Sequence, residues 1–127
     1  MFYLKENMNQ EIKTRWVEAL RCGEYKQGRK ALRQEDKFCC LGVLCELAVK
    51  DGAIPKPLPQ GSRYIYGEPG NSSSNYLPGK VMDWAGIENL NWAGKYNISE
   101  ENDGYLASDN DNGKTFEEIA SIIEEKF

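Results

Sequence analysis

The chain has 127 residues and no histidine, and that absence narrows its chemistry more than any residue it contains. Without an imidazole there is no Ser-His-Asp hydrolysis and no histidine general base, and most catalytic zinc sites lose a ligand. No apolar run approaches the ~20 residues that cross a bilayer. The first seven residues, Met1 to Asn7, carry neither a basic start nor an extended apolar stretch, so no secretory leader is expected and the protein is expected in the cytoplasm, with its thiols reduced. A broad excess of positive charge is missing as well. At a net charge of −4, the chain lacks the basic surface that sequence-independent DNA binding needs to release counterions.

Among the residues present, the run Phe38-Cys39-Cys40-Leu41-Gly42-Val43-Leu44-Cys45-Glu46-Leu47-Ala48 is the most informative. It concentrates three of the four cysteines in one helix candidate, Phe38 to Lys50, that is apolar almost all the way round. Such a helix belongs at the centre of a fold. Gly42 inside it costs about 1 kcal/mol relative to alanine unless another backbone comes close, so it marks a close approach. The cysteine spacing, Cys39-Cys40 and then Cys45 with Cys22 upstream, fits no zinc motif, and a buried structural role is expected.

Around this hub the pattern predicts four further features. Residues 10 to 22 form an amphipathic helix with Ile12, Trp16, Ala19 and Leu20 on one stripe, stopped by Gly23. Residues 24 to 37 form a short hairpin or extended arm with a polar turn at Gln34-Glu35-Asp36-Lys37. Leu77 to Gly86 hold a short helix with Pro78 at its first position and Val81, Trp84 and Ala85 facing inward. Thr115-Phe116-Glu117-Glu118 is a capping box that opens a last helix with Ile119, Ile122, Ile123 and Phe127 as its apolar stripe. Between them, residues 53 to 76 read as a long loop rich in proline, glycine and serine, with Arg63 to Tyr66 as its one strand-like island. The expected architecture is α+β: one helix-dominated domain, residues 10 to 127, with a small antiparallel sheet around a central buried cysteine-containing helix. Residues 1 to 9 are expected as an N-terminal extension.

The candidates for chemistry are binding groups. Charge is polarised: residues 13 to 37 carry eight Lys/Arg against four Asp/Glu, and residues 97 to 127 carry nine acids against two lysines. Complementary solvated faces explain this first. A functional reading makes Arg29 and Arg33 a phosphate clamp, helped by backbone amides at the start of the last helix. Trp84, Trp92, Tyr64 and Tyr66 offer faces for a base, although each also suits a core or sheet position. Asp83, Asp109, Asp111 and Glu100 have no spacing that singles out an acid–base pair. Ser108-Asp109-Asn110-Asp111-Asn112-Gly113 fails as a calcium loop because Ile119 falls where a carboxylate is required, which leaves an Asx-rich turn. No catalytic residue, metal site or cofactor is assigned.

The segments Tyr25-Lys26-Gln27-Gly28-Arg29, Phe38 to Cys45, Leu77-Pro78-x-x-Val81-x-x-Trp84-Ala85-Gly86 and Leu106-Ala107-x-x-Asn110-Asp111-x-Gly113-x-Thr115-Phe116 occur in that order. Together they resemble a family of small proteins encoded by tailed bacteriophages and prophages. That resemblance implies an accessory protein acting in the cytoplasm of the infected host, by binding rather than by catalysis. The expected ligand is a small anionic nucleotide or ADP-ribose-type immune signal, which the protein sequesters. Arg29, Arg33, Tyr64, Trp84, Asn110 and Asp111 are the expected ligand-binding residues, and a homo-oligomer is the expected assembly. The alternative is a module that binds and inhibits a host protein. Neither DNA nor a membrane is an expected partner.

Overall fold

A computed structural model describes residues 8–87 and 106–127. The expected α+β class holds. The first helix, α1 (Gln10–Arg21), starts where Asn9 turns its side chain back to accept the Ile12 N–H at 2.9 Å. It buries Ile12, Trp16, Val17 and Leu20, and Gly23 leaves it in the left-handed region at φ +82°. Met8 is buried and the Asn9 N–H donates to the Ala85 carbonyl, so both belong to the packed fold and not to an extension.

The segment after α1 forms three two-residue strands, β1 (Lys26–Gln27), β2 (Arg33–Gln34) and β3 (Lys37–Phe38). β2 and β3 pair antiparallel, while β1 joins β3 in parallel, the one parallel pair among the described residues. Phe38 is therefore a strand residue facing Arg33. The central helix α2 (Cys40–Lys50) begins two residues later than the apolar run predicts, with Cys39 at its N-cap. Eight of its eleven residues are buried. Gly42 is the close approach: a Cβ there would lie 1.8 Å from the Leu32 carbonyl oxygen.

Residues 53 to 76 differ most from expectation. They fold into a meander of β4 (Leu58–Gln60), β5 (Arg63–Glu68) and β6 (Asn71–Ser73), antiparallel throughout. Gly61 and Gly70, both at positive φ, close its two turns. Pro59 sits on the outermost strand, where a missing N–H costs no ladder bond. The strands run β1-β3-β2-β5-β4, with β6 also on β5. The inner face of this sheet lies on α2, to which Tyr66 is tied by a 2.6 Å hydrogen bond donated to the Glu46 carboxylate.

Three helices complete the core. In α3 (Gly79–Ala85) Pro78 is the N-cap and not the first helical residue, and Gly86 closes it at φ +74°. Val81 and Ala85 are buried, while Trp84 is only half-buried. The Asx-rich run forms α4 (Leu106–Asp111), a short helix instead of the expected turn. It leads into α5 (Phe116–Lys126), whose Thr115–Glu118 capping box is present in both directions. α5 packs on α1, with Phe127 edge-on to Trp16 at 6.5 Å between centroids.

Candidate functional site

The loop between β1 and β2, residues 28 to 32, carries Arg29 and is fastened from three directions. Asn110 of α4 donates to the Gly28 carbonyl at 2.8 Å, and Asp111 accepts the Lys30 N–H at 2.8 Å. Asn75 donates to the Lys30 carbonyl at 2.9 Å. The Leu32 N–H donates to Ser74, and the Gly28 N–H to Phe38. Lys30 is held at φ +69°, a conformation that non-glycine residues adopt only when their surroundings impose it.

Asn110 is the keystone of this bracket. It is fully buried, and its carbonyl oxygen accepts from the Gln27 amide at 2.9 Å and the Cys40 N–H at 3.3 Å. Gln27 continues outward, donating to the Lys114 carbonyl and accepting the Phe116 N–H. The expected ligand contacts of Asn110 and Asp111 are thus spent on the protein's own backbone. The start of α5 is spent too. Thr115 and Glu118 exchange hydrogen bonds and Gln27 takes Phe116, so the expected phosphate contact with these amides finds its donors occupied.

What the bracket leaves free is charge. Arg29 is exposed, and neither it nor Lys37 makes an ion pair or side-chain hydrogen bond among the described residues. Together with Gly28, Ala31, Gln34 and Glu35 they line a groove of about 270 Å³. Gly28 keeps it narrow, since a Cβ there would meet the Lys37 Cβ at 2.8 Å. Glu35, at φ +56°, turns the β2–β3 hairpin at the other end. From sequence, Gln34, Glu35 and Lys37 read as a polar turn and not as site residues. The signal was the hairpin itself, because Gln34 and Lys37 face each other across it and share the solvent side.

The remaining expected residues fall elsewhere. Arg33 points to the other side of β2. Its guanidinium lies 3.9 Å above the Tyr64 ring and 5.2 Å from Phe38, and its Nε donates to the Glu35 carbonyl. Arg33 and Tyr64 therefore come together, but apart from Arg29. Trp84 belongs to a third cluster, donating to Asp51, which also receives both terminal nitrogens of Arg15 at 2.8 and 3.0 Å. Trp92 and Glu100 lie outside the described residues.

Three of the four cysteines, Cys39, Cys40 and Cys45, are buried and inert, and Cys22 is exposed. Burial pushes the Cys39 thiol up to about 11 and raises Cys40 and Cys45 well above their ordinary value. Burial, followed by the Glu46 carboxylate, likewise raises the Tyr66 hydroxyl. Among the described residues no group of three or more acidic or cysteine side chains is placed to hold a metal ion, and no helix is long and apolar enough to cross a membrane.

Residues 8–127 match a family described as a domain of unknown function, DUF8296. The chain belongs to the DUF8296 family. No curated protein and no solved structure matches it. The DUF8296 match covers every described residue, so the Arg29 loop, its Asn110 bracket and the groove all lie within it.

Proposed function

We propose that this DUF8296 protein binds and sequesters a small phosphate-bearing ligand of nucleotide or ADP-ribose type in the groove between Arg29 and Lys37. One observation carries the reading. A loop held rigid by three neighbouring segments presents a cation with no partner of its own, opposite a second such cation. Rigid donors that need no reorganisation favour anion binding, because little ordering cost remains when the ligand arrives. Binding without turnover fits the burial of Cys39, Cys40 and Cys45 and a site with no imidazole. The motif resemblance to phage proteins supports the setting: an accessory protein in the cytoplasm of the infected bacterium, removing a signal made by a defence system.

A second reading, docking on a host protein, is favoured by Leu58, which stands 68% exposed on the outermost strand. Native mass spectrometry separates the two. The purified protein is measured before and after incubation with extract from bacteria whose nucleotide-signalling defence has been triggered. An added mass of a few hundred daltons, lost in Arg29→Ala, is the expected result. An unchanged spectrum across several defence systems removes the sequestration reading and leaves the host-protein one.

A further inference from the structure

The groove opens onto a row of side chains set by the strand register. Lys26 on β1 stands beside Lys37 on β3, Lys37 opposite Gln34 on β2, Gln34 opposite Arg63 on β5, and Arg63 opposite Gln60 on β4. Residues directly opposite each other share a face, and this is the solvent face, since Phe38 and Tyr66, on alternate positions, face α2. The row's charges are not equal. Lys26 is neutralised by Asp36 at 3.1 Å. Arg63 is half-buried, yet its guanidinium makes no hydrogen bond or ion pair among the described residues. Two centres of free positive charge remain: Arg29 with Lys37 at the groove, and Arg63 beyond it.

Strands are spaced ~4.8 Å apart, so Lys37 and Arg63, on either side of β2, are separated by about 10 Å of backbone. Between them stands Gln34, neutral and exposed, its Nε2 given to Ser62 at 3.2 Å, with Glu35 at the rim. An amide and a carboxylate between two cationic ends suit hydroxyls and reject a third anion. The groove's 270 Å³ lies below the ~300 Å³ at which drug-sized pockets begin, so it takes one end of such a ligand and not all of it.

Building on the proposed anion site, we infer that its ligand carries two phosphates held apart by a sugar, as in a 3′,5′-linked nucleotide, with Arg29 and Lys37 on one and Arg63 on the other. A pyrophosphate, whose two phosphorus atoms share one bridging oxygen, spans the two centres less well than phosphates on the 3′ and 5′ oxygens of one ribose. The inference thus favours a ribose bisphosphate over ADP-ribose as the ligand.

Isothermal titration of the whole protein with adenosine 3′,5′-bisphosphate, AMP and ADP-ribose, at one fixed salt concentration, tests it. The bisphosphate should bind about tenfold more tightly than AMP, the effect of one added charge-assisted contact at a partly exposed site. Arg63→Gln should erase that advantage and leave AMP within twofold. Arg63→Lys should keep part of it. Because Arg63 has no side-chain partner to lose, its variants should melt like the parent. ADP-ribose binding as tightly as the bisphosphate, or Arg63→Gln weakening AMP equally, overturns the inference while the anion site stands. If none of the three ligands binds, the anion site itself falls, and this inference with it.

Discussion

At the scale of single residues, Asn110 is the one fully buried polar side chain among the described residues. Asn110 satisfies the Cys40 N–H, the Gly28 carbonyl and the Gln27 amide from a position with no exposed surface. Asn110→Ala takes this partner from the Cys40 N–H and the Gly28 carbonyl, while Gln27 keeps Lys114 and Phe116, and each unmet buried group costs about 1–3 kcal/mol. Urea unfolding should therefore show a loss of about 2–4 kcal/mol, and ligand affinity should fall with the loop's rigidity. A loss below 0.5 kcal/mol, roughly the scatter of surface changes, would remove Asn110 from its place as bracket. The thiols supply a pH test. Cys39, Cys40 and Cys45 hold their protons to higher pH in the fold than in the unfolded chain. Their contribution is fully present below the ordinary thiol value of 9.0 and is lost as pH rises above it, toward about 11 for Cys39. Tyr66, raised from 10.0, adds a loss of the same sign. Stability measured from pH 8 to 11 should fall steeply above 9. In the native protein one thiol, Cys22, should react quickly with a disulfide reagent, and the other three should wait for unfolding.

At the scale of elements, the helices were legible because their signals are local. The Thr115–Glu118 capping box and Gly23 marked boundaries that the structure keeps. Thr115→Ala should cost about 1 kcal/mol in thermal or urea unfolding. The strands were harder to read, for identifiable reasons. β4 and β6 are held by backbone pairing, and their sequences Leu-Pro-Gln and Asn-Ser-Ser show no apolar alternation, so the stretch read as loop around Arg63 to Tyr66. Phe38 looked helical because it continues an apolar run, but pairing with Arg33 on the neighbouring strand overrides that local preference. The candidate site was half legible. Arg29 is legible in the sequence as a phosphate-clamp candidate, whereas its unpaired place on a bracketed loop is not. Arg33 was paired with it by proximity in sequence, whereas β2's alternation sends Arg33 to the inner face, onto Tyr64. Trp84 was read as inward or stacking, and Arg15 and Asp51 explain its half-buried place. The folded Asp51 carboxyl lies below its ordinary 3.8 through the hydrogen bond from Arg15. That pair stabilises above about pH 4 and is lost as pH falls through the depressed value. With both side chains over a third exposed, at 37% and 34%, its worth is under about 1 kcal/mol. Asp51→Asn should lower stability slightly at pH 7 and not at pH 2, with Trp84 fluorescence reporting the change.

At the scale of the whole molecule, charge is sorted into what the fold uses and what it leaves. The basic first third and acidic last quarter of the chain meet where α1 packs on α5. There Arg21 takes Glu117 at 2.9 Å and Glu124 at 3.0 Å, and Lys13 reaches the Glu124 carbonyl. These exposed pairs are screened by salt and hold little of the fold together. Arg29, Lys37 and Arg63 stand outside that pairing, on the solvent side of a sheet whose other side is buried on α2. Raising salt should therefore weaken ligand binding far more than it lowers the melting temperature. The account's central claim is that the free cations of the Arg29–Lys37 groove form an anion site. Calorimetric titration of the wild type and the Arg29→Ala/Lys37→Ala double variant with AMP tests it most directly. Saturable one-site binding to the wild type, weakened at least tenfold in a double variant with unchanged melting temperature, is the predicted result. Equal affinity in both proteins, or no binding to the wild type, would contradict it.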